Sequence, residues 1–469
     1  MAETLNVDIA VIGGGSGGLS VAAGASQLGQ KVVLFERAKM GGDCLNYGCV
    51  PSKATIAASR AAVSIREATR FGVSAGEPVV DYAKLREHVR GVIAAIAPND
   101  SVERFTGLGV RVIQDSARFT GPGEVAAGDI RVKARRFVIA TGSSASLPPI
   151  PGLKDGPYLT NETVFDLDRR PDHLIVIGGG PIGCELAQAH RRLGAKVTIL
   201  EAATLLPKDD PELAEFVRRS LRRDGIDIRE GVKIIRVENG TAVLESGERV
   251  AGSHLLVAAG RRPMVDGLDL DKAGVQFTPK GIVVDARLRT TNRRIYAIGD
   301  CIGGFQFTHM AGYHAGIVIR HALFRLPWTK VDHSAVPWVT YTEPELAQVG
   351  LTEAEAKKTL GDGLRLARWP FHENDRAQAE RQTEGLIKVI VDARGRIYGA
   401  SIGGPHAGEL LLPWCLAIQK KLTLRDMAGV IAPYPTLSEV SKRAAGSFFT
   451  PTLFSPRTRR LVRLLSRLG

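Results

Sequence analysis

One repeat limits the folds open to this chain. The segment Ile-Ala-Val-Ile-Gly-Gly-Gly-Ser-Gly-Gly at 9–18 returns as Leu-Ile-Val-Ile-Gly-Gly-Gly-Pro-Ile-Gly at 174–183. Gly13 matches Gly178, Gly18 matches Gly183, Gly29 matches Gly194 and Glu36 matches Glu201, each at the same offset. Each unit reads as a buried strand, a glycine turn, a helix and a second strand ending on an acid. Two such units predict two Rossmann-type nucleotide-binding domains in an α/β chain.

The glycines have separate duties. Gly13 and Gly178 permit the tight turn. Gly15 and Gly180 let main chain approach a pyrophosphate. Gly18 and Gly183 let the helix sit close to the strand. The helix start then offers unpaired N–H groups and partial positive charge to phosphates. Glu36 and Glu201 are placed to accept hydrogen bonds from a ribose diol. A carboxylate at Glu201 repels a 2′-phosphate, and Ala202 and Ala203 add no cation nearby, so NAD(H) is favoured over NADP(H) at the second site.

Between the repeats, residues 54–97 read as helical with an irregular stretch at 72–78. Strands ending in turns are expected at 138–142, 255–263 and 295–300, and a proline-rich crossover at 147–152. After Pro337 the alternating segments 386–391 and 397–402 suggest an antiparallel sheet with helices on one face, a third domain of α+β type. The 469 residues suit roughly three domains. No apolar run approaches the roughly 18 residues needed to span a bilayer. The N-terminal residues show no secretory pattern, so a cytoplasmic location is the expectation.

The five cysteines, Cys44, Cys49, Cys184, Cys301 and Cys415, are too few and too scattered for a structural disulfide framework. The run Gly-Gly-Asp-Cys-Leu-Asn-Tyr-Gly-Cys-Val-Pro-Ser-Lys at 41–53 carries the chemistry. Two cysteines separated by four residues can close a small disulfide loop. Pro51 suits the first turn of a helix, which sets Cys49 about at a helix N-terminus. That position stabilises a thiolate, and Lys53 on the same helix face adds positive charge. No further ligands stand at metal-site spacing, so no metal is expected there. The other three cysteines read as core packing.

This run resembles the active-site signature of the pyridine nucleotide–disulfide oxidoreductases, whose members include dihydrolipoyl dehydrogenase and mercuric reductase. The resemblance covers about residues 5–450 and implies five segments. Residues 1–150 would bind FAD, 151–275 NAD(P), 276–336 would return to the FAD domain, 337–450 would form a homodimer, and 451–469 would be a basic tail. It implies that Cys49 faces the flavin as a thiolate and that Cys44 meets substrate. It pairs Lys53 with Glu185 where hydride arrives. Asp300 would hold the FAD ribityl chain, and Thr308, His309, Met310 and Ala311 would cover the flavin pyrimidine. Ala117 would meet adenine through its main chain. Gly42, Asp43, Thr141, Gly142, Gly260 and Arg261 complete the implied cofactor set. The implied substrate is a small disulfide, a dithiol or a soft metal ion.

The chain departs from the family in one catalytic place. Where a His-Pro-Thr segment supplies the family's base, this chain reads Tyr434-Pro-Thr, with Glu439 retained behind it to orient the ring. Tyrosine, with a reference pKa near 10, is a poor base at neutral pH. That argues against efficient oxidation of a dithiol. His309 is an alternative proton carrier. The C-terminal vicinal cysteines of mercuric reductase have no counterpart, since the last cysteine is Cys415.

The net charge of +13 reads first as a solvated basic surface. An acidic partner or an anionic membrane face is the sharper reading, and without a nucleic-acid motif no nucleic-acid partner is expected. Residues 455–469 hold five arginines and no acid, with Leu461, Leu464, Leu465 and Leu468 on one helical face. This leaves open weak membrane-surface contact through the tail, an NADH-dependent quinone or membrane-linked electron carrier, and a redox-sensing flavoprotein with little turnover.

Overall fold

The computed structural model describes residues 3–468. Its described residues divide into two compact units: 3–178, 189–200 and 232–331 form the first, and 179–188, 201–231 and 332–468 the second.

In the first unit, strands Val110–Ile113, Val32–Phe35, Glu3–Ile12 and Ile130–Ile139 run parallel in that order. Strand Ile295–Ala297 joins Ile130–Ile139 in parallel as well. All four residues of Val32–Phe35 are buried. A parallel strand covered on both faces needs such an unbroken apolar run. A hairpin, Arg118–Gly121 and Glu124–Ala127, pairs antiparallel along the first half of Ile130–Ile139. The second copy of the repeat supplies another parallel set, with His173–Ile177 between Lys196–Leu200 and His254–Val257.

The two copies agree down to one main-chain contact. Gly13 and Gly178 have φ of 112° and 111°. A Cβ on Gly13 would lie 2.3 Å from the Ala140 carbonyl oxygen, and one on Gly178 2.5 Å from that of Ala258. Only glycine fits the turn at either place.

The helical reading of 54–97 holds, with helices Cys49–Glu67 and Tyr82–Ile96 separated by a short 3₁₀ turn and an irregular stretch. Cys184, Cys301 and Cys415 are buried, as expected of packing cysteines.

In the second unit a five-stranded antiparallel sheet runs Pro337–Thr340, Glu345–Gly350, Ile397–Gly404, Leu386–Val391, Arg365–Pro370. Trp414 of helix Leu412–Gln419 sits fully buried in its core, and its indole N–H donates to Ser441 Oγ at 3.1 Å. Lys388 Nζ is buried here and forms ion pairs with Asp210, Glu212 and Glu353, each at 2.8 Å. Among the described residues no helix is long and apolar enough to cross a membrane.

Candidate active site

Cys49 opens helix Cys49–Glu67, with Gly48 as its cap residue. The sequence placed it about there. Cys44 lies in the preceding short helix Gly42–Asn46. Both cysteines carry free thiols. The two sulfurs are not alike. Cys49 is pulled down to about 6, first by the hydrogen bond from Cys44, then by the Thr308 hydroxyl and the Lys53 charge, against burial and Asp43. Cys44 is pushed well up, first by that same hydrogen bond and then by burial. One proton is therefore held on Cys44 and the charge on Cys49.

Thr308 stands closer to this chemistry than its motif suggested. Its Oγ1 lies 3.5 Å from Cys49 Sγ, although 259 residues separate them. It is the first residue of helix Thr308–Ala322. Cys49 is thus the first residue of one helix and touches the first residue of another, where partial positive charge collects. His309 is exposed, and its ring stacks on Phe307 at 5.1 Å and 14°. Met310 is buried and Ala311 half-buried.

Asp43 and Arg261 join the cysteine loop to the next layer. Arg261 Nη2 lies 3.1 Å from Asp43 Oδ2, and Asn161 Nδ2 donates to Asp43 Oδ1 at 3.0 Å. Arg261 Nε donates to Ser143 Oγ at 2.8 Å, and Ser143 Oγ donates to Asp300 Oδ2 at 2.6 Å. Burial raises the Asp300 carboxyl above its ordinary value. Thr141 Oγ1 donates to the Met264 carbonyl at 2.6 Å, and the Met264 N–H donates to the Gly142 carbonyl. Gly260 takes a φ of 109° just before Arg261.

The first glycine turn fits a dinucleotide. Helix Ser16–Gln27 begins with no side-chain cap and no acid in its first turn. A Cβ on Gly18 would fall 1.9 Å from the Gly13 carbonyl oxygen, so that glycine serves packing. A Cβ on Gly15 would meet nothing nearer than Gly42 Cα at 3.9 Å, so the main chain there faces open space. Glu36 Oε2 accepts the Gly14 N–H at 2.6 Å, and its Oε1 accepts the Ala38 N–H at 2.7 Å. The Ala117 side chain is core, leaving its main chain as the only group to offer. In the second copy, Glu201 accepts the Gly179 N–H at 2.6 Å and the Ala203 N–H at 2.8 Å. A Cβ on Gly180 would meet nothing within 4 Å, and Gly183 is buried. Glu185 is buried and accepts the Tyr341 N–H at 3.0 Å.

Tyr434 Oη donates to Asp375 Oδ2 at 2.9 Å, a partner the sequence did not suggest. Glu439 begins helix Glu439–Ser447, and its charge also acts on Tyr434. The Asp375 hydrogen bond also raises the tyrosine above its ordinary value, further from a useful base. Asp375, Asn161 and Ser143 escaped the sequence reading because each acts across a long chain separation that no local motif records. Among the described residues no His, Cys, Asp and Glu cluster could hold a metal ion.

A family model described as pyridine nucleotide-disulphide oxidoreductase matches residues 7–315, and its dimerisation domain matches 336–445. A dihydrolipoyl dehydrogenase of Thermus scotoductus is 37% identical over 457 residues, covering 93% of this chain and 96% of that protein. A mercuric reductase of Streptomyces lividans is 35% identical over 456 residues, covering 94% and 96%. Among solved structures, LpdA from Mycobacterium tuberculosis superposes with a TM-score of 0.85 at 27% identity, covering 94% of this chain and 99% of that one. The Cu(II) complex of the HOCl-induced flavoprotein disulfide reductase RclA from Escherichia coli gives 0.83 at 28%, covering 92% and 98%.

Proposed function

The chain belongs to the pyridine nucleotide-disulphide oxidoreductases and is an FAD-dependent, NAD(P)H-linked enzyme, and we propose that it runs toward reduction of a small disulfide or a soft metal ion. The cysteine pair, with Cys49 at a helix start, the Thr308 hydroxyl 3.5 Å from its sulfur and its pKa drawn down beside Cys44, carries this reading. When bound, FAD supplies the relay that takes hydride from NAD(P)H and delivers an electron pair to the Cys44–Cys49 disulfide.

The chain's own residues do the rest. In this proposal Cys44 cleaves a substrate disulfide R–S–S–R, giving a Cys44–S–S–R mixed disulfide and RS⁻. The Cys44 proton passes along its hydrogen bond to Cys49. Cys49 then attacks Cys44, re-forming the pair's disulfide and releasing the second thiol with that proton. The Cys44 proton leaves with the second thiol, the first thiolate RS⁻ takes its proton from solvent, and no base outside the pair is used in this direction. The reverse, oxidation of a dithiol, needs a base that Tyr434 does not supply.

Gly13, Gly15, Gly18, Glu36, Gly42, Asp300 and the Thr308–Ala311 segment are the proposed FAD contacts, and Gly178, Gly180, Gly183 and Glu201 those for nicotinamide nucleotide. Lys53 and Glu185 keep the roles the resemblance assigns them. NADH is favoured over NADPH because Glu201 presents a carboxylate where a 2′-phosphate would lie. Residues 337–450 are the proposed homodimer domain, and a cytoplasmic location with a weak contact of the basic tail at an anionic membrane face completes the reading.

A steady-state panel tests it: lipoamide, glutathione disulfide, mercuric ion and a quinone with NADH or NADPH, and dihydrolipoamide with NAD⁺. Reduction of at least one sulfur or metal acceptor at a kcat well above that for dihydrolipoamide oxidation is expected. Dihydrolipoamide oxidation as the fastest reaction would refute the direction proposed, and quinone as sole acceptor would refute the substrate class.

A further inference from the structure

The tail helix Pro456–Leu465 buries nothing. Its start is built locally: Pro456 sits in its first turn, the Thr458 N–H donates to Ser455 Oγ at 3.2 Å, and Thr458 Oγ1 donates to the Thr452 carbonyl at 2.8 Å. Leu461, Val462, Leu464 and Leu465 are each more than half exposed, and Leu468 beyond them is 78% exposed. Leu453 and Phe454 just before the helix are exposed as well.

At the helical repeat, Leu461, Leu464 and Leu465 share one face with Arg457 one turn before them, Arg459 and Arg463 lie on the opposite face, and Arg467 and Leu468 follow just past the helix end. Isolated helices this short are marginal in water, so an apolar face left open calls for something to cover it. A second tail is a poor occupant, because each carries five arginines and no acid between residues 455 and 469. Two tails paired by their leucines would gather ten arginines around one short two-helix unit with no acid to offset them. An apolar stripe backed by a row of guanidiniums matches a plane that is apolar beneath and anionic at its surface. Arginine stems can lie along such a boundary while their heads reach phosphate.

We infer that this helix lies in the plane of an anionic lipid surface, leucines toward the acyl boundary and arginines toward the headgroup phosphates. The inference deepens the tail contact in the proposed function and leaves the redox reading independent. Each arginine at such a surface strengthens binding by about fivefold. Losing three therefore weakens it by roughly 100-fold.

The test is co-sedimentation of the flavin-loaded full chain with phosphatidylcholine vesicles, alone or with phosphatidylglycerol added. Pelleting only with the anionic vesicles, weakening as salt rises, is expected. The R459Q/R463Q/R467Q variant should bind roughly 100-fold more weakly, and L461S/L464S/L465S and a chain ending at Phe454 should also lose binding. NADH-driven turnover should be unchanged in all three, which separates this result from any failure of the redox reading. The inference is overturned by no pelleting at low salt, by equal pelleting with and without the tail, or by a drop in oligomer mass when the tail is removed. Binding to a soluble polyanion but not to vesicles also overturns it. Should the leucine variant lose its flavin through misfolding, the arginine variant, changed only at exposed side chains, decides.

Discussion

Replacing Cys44 by serine or by alanine isolates the hydrogen bond that sets the Cys49 thiolate. Both changes remove the second sulfur. Only serine keeps a donor at that place. The Cys49 thiol stands at about 6 against an ordinary 9.0, with the Cys44 hydrogen bond as the first cause. A hydrogen bond to a charged group contributes roughly 1.5–3 kcal/mol. Cys49 is exposed, so solvent screening holds the effect near the low end. About 1.4 kcal/mol corresponds to one pH unit. A lowered thiol pKa means that the thiolate is present above its midpoint and lost as pH falls through it. The readout is the long-wavelength thiolate-to-flavin band, followed against pH in each flavin-loaded variant. Cys44→Ser should lose the band near pH 6, and Cys44→Ala should lose it about one pH unit higher. Equal midpoints, or a lower one in Cys44→Ala, would show that the hydrogen bond is not what holds the charge on Cys49.

Gly15→Ala should keep the fold and lose FAD, because the added methyl enters only the open space before the helix, whereas Gly18→Ala should fail to fold around its clash with the Gly13 carbonyl; flavin absorbance and a thermal melt distinguish them. Lys388→Met should cost about 3–5 kcal/mol in denaturant unfolding, since it strands the buried Asp210 carboxylate, and adding Asp210→Asn should recover much of that loss. Asp43→Asn removes a negative charge that raises the Cys49 thiol, so its charge-transfer midpoint should fall below that of the parent; a rise would mean that the Arg261 pair acts mainly by position.

The doubled architecture was legible because glycine turns are local. Gly13 and Gly178 must adopt nearly one backbone geometry whatever surrounds them, so the pattern survives in sequence. The position of Cys49 was legible for a similar reason, since Gly48 and Pro51 fix a helix start within a few residues. The neighbours of those residues were not. Thr308 reaches Cys49 and Asp375 reaches Tyr434 only because separate elements fold together. The hidden Lys388 is a similar case: its sequence neighbours Ile387 and Val389 say strand, and nothing local says that Asp210 waits opposite.

Glu36 and Glu201 each take two main-chain N–H groups, one from the glycine turn and one from two residues downstream. Each acid is therefore a clasp on its own loop, and in the proposed function it also reads the ribose. On that proposal the two jobs are fused in one side chain. An engineer who replaces Glu201 to test the proposed nucleotide preference also removes both hydrogen bonds that fasten its loop. Redirecting the second site therefore requires a new clasp for Gly179 and Ala203 before any new cation can help.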